Sequence, residues 1–519
     1  MFPALLAVFA IPTISIPFVY LTGKKSPKAA AIFVALIALV NIILVLTTVP
    51  TVLSGTIING TLQHRYVESY SWISVIHTSF TLFTDGISAS VALISLVLVL
   101  VAAIFSINYM AGKKHLAAYY ALLCMLSVGM VGVFLTSNLI LFYFCWELML
   151  VPAYFIVGEW GYRDSYKQAF KLFIWTHAGA VFVLLGIGAV YVATGGQTDM
   201  FLAQTALAGV GVAGSAIVKF TLIALTAGFA VKMAVIPVHI WLPDAHSEAP
   251  APMSALLSGV IISAGAYAIL RLSLGMVFPA VGITFGTDFL YALAIVGVLS
   301  AFFGSLIALV STDIKRLIAY SSIAHMGYIM FGLSLFPVSV FAGTIAISLA
   351  ITGTVLHIVS HALSKGLLFL TAGGVMHQTE KRDIRKMGGL ASKMPFTAVS
   401  STIAALSIAG APPFACFISE FLIFVGAFQV IKIDSFYIIP TALMLIATVI
   451  SLAYMLRFTS KVYLGQPASE ELAEGEEPHK IVDVSNYMKL SLAILVVLVV
   501  LVGVYPTFFL NLIQTVKFG

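Results

Sequence analysis

The chain has 519 residues, of which 61% are hydrophobic and only 9% are charged, and its mean hydropathy is +1.10. This composition excludes a soluble globular protein and predicts one polytopic, all-α membrane domain, because long apolar runs recur from end to end. The formal net charge of +6 is explained by basic loops on one side of a membrane and does not indicate nucleic-acid binding.

About fourteen apolar runs are long enough to cross the hydrocarbon core of a bilayer as helices. We divide the single membrane domain, residues 1–519, into helices 1–3 (1–115), a first repeat (116–272), a second repeat (289–465) and an acidic loop with the last helix (466–519). The predicted helix cores, numbered first to fourteenth, are Pro3–Leu21, Ala30–Thr48, Ile87–Tyr109, Leu116–Leu135, Leu139–Val157, Ala169–Ala193, Ala216–Ile236, Met253–Leu272, Phe289–Val310, Leu317–Phe336, Phe341–Val375, Phe396–Val430, Tyr437–Tyr463 and Met488–Ile513.

The orientation follows from the loops. Most of the 26 lysine and arginine residues fall in loops on the same side as the first loop. Basic loops stay on the cytoplasmic side, so we expect the N-terminus outside. The first run has no charged start and no small-residue cleavage site, which favours a retained helix over a signal peptide. Without a transit peptide, a prokaryotic plasma (inner) membrane is the expected location.

Cofactor-binding patterns are absent from the sequence. Cys124, Cys145 and Cys416 lie within apolar runs at no metal-ligand spacing. There is also no glycine-rich phosphate loop and no CxxC cluster. The sequence therefore predicts no flavin, nucleotide, iron–sulfur cluster or metal on this chain.

A lysine stands inside an apolar helix, in the stretch AGFAVKMAVIPVHIWLPDAHSEAPAP. A charged side chain in hydrocarbon costs ~2.5–3.5 kcal/mol on insertion scales, so Lys232 is a candidate for an ion path. Lysine also loses its proton readily when it is desolvated. Glu147, near the centre of the fifth helix, is its natural partner. The alternative is a purely structural pair that holds two helices together.

Prolines interrupt the seventh and twelfth helices. Pro237 and Pro243 follow Lys232, and Pro412 and Pro413 precede Glu420. Such breaks survive in a membrane only against protein or a watered cavity. The two broken helices are five apart, and a pair of interrupted helices in corresponding positions is typical of transporters with inverted repeats. We therefore expect two inverted five-helix repeats with ion sites near mid-membrane.

Further titratable residues lie in the second half. His357, His361 and Lys365 share one face of the eleventh helix at spacings i, i+4 and i+8, which suits a proton relay because histidine titrates near neutrality. A polar seam between helices is the alternative, and a packing role fits His325 of the tenth helix equally well. The predicted proton path contains Glu147, Lys232, His325, His357, His361, Lys365 and Glu420.

Other polar residues are given structural or surface roles. His177 of the sixth helix is interpreted as structural. The group His239, Asp244, His246 and Glu248 superficially resembles metal ligands, but its spacing is not tetrahedral, and we expect it to line the inner water entrance. The acidic run SEELAEGEEPHK is predicted to be a solvated loop or a docking surface.

Four segments carry a family resemblance: FYFCWELMLVPAYFIVGEWG, KMAVIPVHIWLPDAHSEAPAP, STDIKRLIAYSSIAHMGYIM and PPFACFISEF. They resemble the antiporter-like subunits of respiratory complex I, a family shared with Mrp-type sodium/proton antiporters and membrane-bound hydrogenases. The resemblance runs from about the third to the thirteenth helix. The chain is most similar to the M-type subunit of NADH-quinone oxidoreductase, since L- and N-type relatives carry lysine in place of Glu420 and no long lateral helix follows.

The resemblance implies a fourteen-helix fold with two inverted five-helix repeats. It also implies that Glu147 and Lys232 form a coupled pair, that His325 and His361 belong to a central hydrophilic axis, and that Glu420 serves the exit.

One position departs from the M-type pattern. Ser263 stands where M-type relatives usually carry a bridging lysine on the eighth helix. Lys365 on the eleventh helix, where M-type chains often lack a lysine, is the candidate replacement.

The function implied is proton translocation in the membrane arm of an NADH:quinone (or related) oxidoreductase. The implied partners are L- and N-type subunits, small membrane subunits, the lipid bilayer and a redox peripheral arm with flavin and iron–sulfur clusters. The alternatives are an Mrp-type sodium/proton antiporter subunit, an antiporter-like hydrogenase subunit and a scaffold without transport. The residues leave open the choice between proton and sodium, and the identity of the electron donor and acceptor.

Overall fold

The computed structural model describes residues 3–58, 61–76, 78–209, 216–337, 345–346, 348–466 and 481–518. Helices dominate this part of the chain, and thirteen of them are long and apolar enough to cross a membrane. The all-α, polytopic membrane fold predicted from composition is therefore confirmed. The core of the acidic run, residues 467–480, lies outside the described residues.

The helices α1 to α21 follow one another with short connections. The predicted fifth helix corresponds to α5 and α6, the seventh to α9 and α10, the tenth to α14, the eleventh to α15 and the twelfth to α17 and α18. Their bounds are α1 Ala4–Lys25, α2 Pro27–Ser54, α3 Gly86–Tyr109, α4 Leu116–Leu135, α5 Leu139–Leu148, α6 Leu150–Trp160, α7 Ser165–Ala193, α8 Met200–Gly209, α9 Ala216–Met233, α10 Leu242–Glu248, α11 Ala251–Leu256, α12 Ile262–Ala268, α13 Ile283–Val310, α14 Ile314–Ser334, α15 Leu349–Thr379, α16 Leu390–Lys393, α17 Pro395–Ile408, α18 Ala415–Ile431, α19 Ile438–Thr459, α20 Asn486–Val504 and α21 Thr507–Gln514.

The eighth predicted helix is one long buried rod, Ala251–Ala280, in which α11 and α12 alternate with wider π-helical turns. Such turns are frequent at functional sites in helices. The rod contains Ser258, Ser263 and Arg271, all of them buried. We call it the eighth helix below.

Small antiparallel sheets occupy the ends of the bundle. The long polar segment between α2 and α3 forms a hairpin of β3 Arg65–Ile73 and β4 Thr78–Asp85. Within it, Glu68 accepts hydrogen bonds from the first backbone N–H groups of α1, which satisfies a helix terminus. Two shorter pairs complete the strands: β1 Thr56–Ile58 with β2 Thr61–Gln63, and β5 Ile345–Ala346 with β6 Lys517–Phe518.

The polar helices form the centre of the bundle. The most apolar windows of the eighth helix and α15 are completely buried, whereas only 28% of that of α1 is buried. Exposed leucine, valine and phenylalanine side chains cover the outer helices, for example Leu184 and Val192 of α7. This arrangement keeps the ionisable residues of α14 and α15 away from lipid, as their solvation energy demands.

Several predicted boundaries were wrong, and proline explains most of them. The helix α9 ends at Met233 and not at Ile236, ahead of Pro237. The fourteenth helix stops at Val504 and not at Ile513, just before Pro506, whereas the twelfth is interrupted around Pro412 and Pro413 as predicted. Proline cannot donate a backbone hydrogen bond and its ring collides with the preceding turn. The eleventh helix begins at Leu349, and α8 was not predicted at all.

Candidate functional site

Lys232 lies at the end of α9, where the helix stops. Its side chain is buried, with 3% of the residue exposed. The ammonium donates a 2.8 Å hydrogen bond to the backbone carbonyl of Trp146 and lies 3.8 Å from the centre of the Trp146 ring. A carbonyl dipole and an aromatic face both stabilise a cation, although less than a carboxylate does. Lys232 is thus held in a form that allows its proton to leave.

Glu147 does not form the direct ion pair with Lys232 that the sequence predicted. No ion pair within 4.0 Å joins them among the described residues; instead, Glu147 Oε2 lies 3.1 Å from Nδ1 of His177 on α7. The interpretation of His177 as structural stays a prediction, and its contact with Glu147 was not foreseen. Trp146 and Glu147 are consecutive on α5, so the Trp146 side chain and carbonyl contact Lys232 while Glu147 turns toward α7. Both Glu147 and His177 are partly exposed at the side of the bundle.

Glycines bring α7 and α9 together beside this pair. A Cβ atom on Gly228 would lie 2.5 Å from the carbonyl oxygen of Gly179, so only a hydrogen atom fits there. Gly228 is one turn before Lys232, and Gly179 is two residues after His177. Small residues at helix contacts allow such close approach in membranes. The close contact fixes the separation of the helices that carry the lysine and the histidine.

Lys365 of α15 is completely buried at the centre of the bundle. Its ammonium donates to the Ser321 hydroxyl and, at 3.2 Å, to the Ile318 carbonyl, both on α14. No carboxylate lies within ion-pairing distance of Lys365 among the described residues. A buried lysine with only neutral partners is suited to transient protonation.

His325, His357 and Glu420 meet where α14, α15 and α18 come together. His325 Nδ1 lies 3.1 Å from His357 Nε2 and 4.0 Å from Glu420 Oε1. The other nitrogen of His357, Nδ1, is 2.9 Å from the Ser419 hydroxyl. All four side chains are buried. The predicted relay residues of three separate helices therefore form one group, in which His325 and His357 are hydrogen-bonded and Glu420 lies within ion-pairing distance of His325. We call it the His–His–Glu cluster (His325, His357 and Glu420).

The break in the twelfth helix makes room for Glu420. Gly410, which follows α17, has a φ of +67°, a backbone conformation that glycine adopts without steric cost. A Cβ atom on Gly410 would lie 2.5 Å from Glu420 Oε2. The carboxylate therefore packs directly against backbone at the interruption, as predicted for a broken helix that lines an ion site.

His361 lies between Lys365 and the cluster along α15, and His246 lies one turn beyond Lys365. The centre of the His361 ring is 5.6 Å from that of His325, and neither of its ring nitrogens has a hydrogen-bond partner among the described residues. His246 on α10 stacks on Phe369 at 4.7 Å, and its ring nitrogens are likewise unpaired in that part of the chain. The assignments of His361 to the proton path and of His246 to the water entrance stay predictions.

The four residues that resembled metal ligands do not form one site. Asp244 bonds Lys171 and Arg316, each at 2.7 Å, and Glu248 bonds Arg382 at 3.1 Å. Since each carboxylate is neutralised by basic residues, this region links α7, α10, α14 and the segment after α15 by ion pairs. The ion pairs hold α7 and α10 against α14 and the segment after α15.

Two further buried cations were not among the predicted site residues. Lys315 is completely buried and donates to the Ala249 carbonyl. Arg271, at the end of the predicted eighth helix, forms a buried ion pair with Asp85. Lys315 stands beside Arg316 in a basic dipeptide typical of a loop, so no local signal distinguished it.

Comparisons with known proteins agree with this geometry. The family model described as NADH:quinone oxidoreductase/Mrp antiporter, TM, matches residues 136–466. NADH-quinone oxidoreductase subunit M of Rickettsia prowazekii (strain Madrid E) is 30% identical over 509 residues, which cover 98% of this chain and 96% of the relative.

Solved structures share the fold. A chain of the membrane-bound sulfane sulfur reductase, an archaeal respiratory membrane complex, superimposes with a TM-score of 0.80 at 27% identity, over 97% of this chain and 76% of that one. A chain of respiratory complex I from Thermus thermophilus gives a TM-score of 0.80 over 99% of this chain and 98% of that one; at 21% identity it shows the fold alone. The chain therefore belongs to the NADH:quinone oxidoreductase/Mrp antiporter family of membrane proteins.

Proposed function

We propose that this chain is the M-type, proton-translocating subunit of a complex I-like oxidoreductase in a prokaryotic plasma membrane, with its N-terminus outside. Reduction of a quinone or related carrier in partner subunits drives proton export through this chain, which holds no redox centre. The flavin and iron–sulfur clusters belong to a peripheral arm. Its neighbours in the membrane are L- and N-type subunits and small membrane subunits.

The observation that carries the proposal is the series of buried titratable side chains. Lys232, Lys365 and the His–His–Glu cluster lie on four helices, α9, α14, α15 and α18, and each residue is at most 5% exposed. Each such group is costly in a membrane, and ionisable residues there mark proton or ion paths. A scaffold without transport has no need for two buried lysines that lack a carboxylate partner.

Glu147 is the element of the path with two alternative partners. In this structure it contacts His177, while Lys232 contacts the carbonyl of the neighbouring Trp146. Movement of Glu147 from His177 to Lys232 would favour the ammonium by about 4 kcal/mol for a 4 Å separation at an effective dielectric constant of about 20. A proton leaving against the membrane potential requires about 2.3 kcal/mol per 100 mV. The switch is therefore large enough to load and release one proton at an ordinary membrane potential.

The released proton passes along the described hydrogen bonds and through water. Lys365 contacts Ser321, one turn before His325 on α14, and His325 contacts His357. Glu420 then accepts the proton at the break in the twelfth helix. The redox reaction in the partner subunits acts by biasing the two positions of Glu147.

Substitutions at the switch test the proposal. Lys232→Ala and Glu147→Gln are expected to reduce proton pumping severely while the assembled complex persists, because each removes one member of the switch. Lys219→Ala is the matched control, since Lys219 lies on the same helix α9 but contacts Phe285 near its start. Pumping is measured as acidification of vesicles that contain the reconstituted complex. Full pumping in either switch variant contradicts the mechanism.

The oxidoreductase assignment has its own test, because the same family contains Mrp antiporters. The native complex is extracted gently and its subunits and absorption spectrum are determined. Flavin and iron–sulfur subunits that co-purify support the redox-driven pump and identify the electron donor. Co-purification with antiporter subunits only, without a redox chromophore, shows an Mrp-type sodium/proton exchanger and refutes the oxidoreductase assignment.

A further inference from the structure

The His–His–Glu cluster has the chemistry and the spacing of a transition-metal site. Two imidazole nitrogens and one carboxylate oxygen, from His325, His357 and Glu420, all lie within 4.8 Å of one another. It is the only such group of three among the residues that the structure describes. We propose that these residues bind a divalent transition-metal ion, with Zn²⁺ as the best match. The sequence predicted no metal here because the three ligands come from three helices.

The nitrogen positions suit tetrahedral zinc. Zinc–nitrogen bonds of about 2.0–2.1 Å place two imidazole nitrogens about 3.3 Å apart in a tetrahedron. His325 Nδ1 and His357 Nε2 are 3.1 Å apart, so they need to separate only slightly. Glu420 Oε1, 4.0 Å from His325 Nδ1, completes the set when it moves closer to both nitrogens, each of which lies within 4.8 Å of it. A mixed imidazole and carboxylate set favours zinc over magnesium or calcium, which prefer oxygen ligands alone.

The surroundings of His357 match those of a metal-bound histidine. Such a residue usually donates a hydrogen bond from its second ring N–H to an oxygen, which fixes the tautomer and the ring orientation. Here His357 Nδ1 lies 2.9 Å from the Ser419 hydroxyl, which leaves Nε2 directed at His325 and Glu420. Ser419 is also buried and precedes Glu420 in the sequence, so one turn of α18 supplies both a ligand and its support.

A bound zinc ion and a protonated relay are mutually exclusive at the cluster. Zinc takes the lone pairs of His325 Nδ1 and His357 Nε2, so neither nitrogen can accept a proton while the metal is bound. Two neutral imidazoles and one carboxylate leave the bound Zn²⁺ with one net positive charge. Under the proposed function, the bound ion blocks proton transfer between Lys365 and Glu420.

Metal binding can be measured without reference to pumping. The intact complex is stripped with a chelator and titrated with Zn²⁺ alone, and the bound zinc is counted by equilibrium dialysis and its ligands by X-ray absorption. Wild type is expected to bind one more zinc ion than His357→Ala, in a shell of nitrogen and oxygen. Ser419→Ala keeps all three ligands and is expected to bind that ion about 10-fold more weakly, which is the usual effect of losing the support of a ligand.

His377→Ala is the matched control. His377 lies on the same helix α15 but contacts Tyr109 at its far end, so its loss should leave zinc binding unchanged. Equal stoichiometry and affinity in wild type, His357→Ala and Ser419→Ala overturn the proposal, as do sulfur ligands on the additional zinc. If His357→Ala fails to assemble, Ser419→Ala alone decides. Zinc binding without any effect on pumping supports the metal site and argues instead against the proposed proton route.

Discussion

The contact between His177 and Glu147 makes a prediction that separates a switch from a static ion pair. If Glu147 alternates between His177 and Lys232, then His177→Leu removes one of its two partners and holds Glu147 near Lys232. A hydrogen bond to a charged group contributes about 1.5–3 kcal/mol when buried. Since 48% of the His177 side chain and 26% of the Glu147 side chain are exposed, about 1 kcal/mol is the appropriate value here. This corresponds to a shift of about fivefold in the equilibrium between the two positions.

We therefore expect His177→Leu to slow proton pumping about fivefold without loss of assembly, because Lys232 retains its proton for longer. The assay is the initial rate of vesicle acidification by the reconstituted complex, with substrate oxidation recorded in parallel. Two controls separate the loss of the hydrogen bond to Glu147 from a change in packing around His177. His177→Gln keeps a hydrogen-bond donor and should pump near the wild-type rate, and Phe173→Leu removes only the ring stacked on His177. An unchanged rate in His177→Leu, together with a slow Glu147→Gln variant, refutes His177 as the second partner.

Two further substitutions test the central and exit parts of the path. Lys365→Met removes the group that donates to Ser321, so it should abolish pumping in an assembled complex. Lys461→Met, at an exposed position, is the control and should leave pumping unchanged. Pumping by Lys365→Met at the wild-type rate excludes Lys365 from the route. Gly410→Ala forces a side chain into a positive φ beside Glu420 and should lower the stability of the complex by about 1–2 kcal/mol and impair pumping. Gly465→Ala, at a negative φ, is its control in thermal unfolding, and equal midpoints contradict the argument.

The parts of the fold that sequence predicted are those with local signals. Apolar length identified the membrane helices, and Pro412 and Pro413 marked a broken one, because hydropathy and proline act within a single segment. The contact of Glu147 with His177 depends instead on how α5 and α7 pack. Nothing within either helix reveals it, since Lys232 is an equally good chemical partner.

Buried charged pairs were also missed because their contacts depend on how separate helices pack. Arg271 and Asp85 are far apart in the chain and meet only in the folded protein, so their ion pair could not be predicted from either segment. The His–His–Glu cluster was predicted residue by residue but not as one group, because the register of α14 against α15 and α18 comes from packing. Titratable residues in apolar helices could be found from sequence, whereas their partners required the structure.

The position of Lys365 shows that the site depends on where the ammonium lies relative to α14. Ser258 of the eighth helix bonds Ser322 of α14 at 2.8 Å, and Lys365 of α15 bonds the adjacent Ser321. The eighth helix and α15 therefore reach the same turn of α14. They also touch each other, since a Cβ atom on Gly259 would lie 3.1 Å from the Ala362 carbonyl.

A lysine that reaches this turn from the eighth helix would place its ammonium one turn before His325, as Lys365 does from α15. The replacement of the lysine expected at Ser263 by Lys365 stays a prediction. Proton transfer depends on the distance between donor and acceptor groups and not on which helix supplies them. If Lys365 makes this replacement, the path requires only that an ammonium reaches Ser321 and that the groups from α14 to Glu420 are kept.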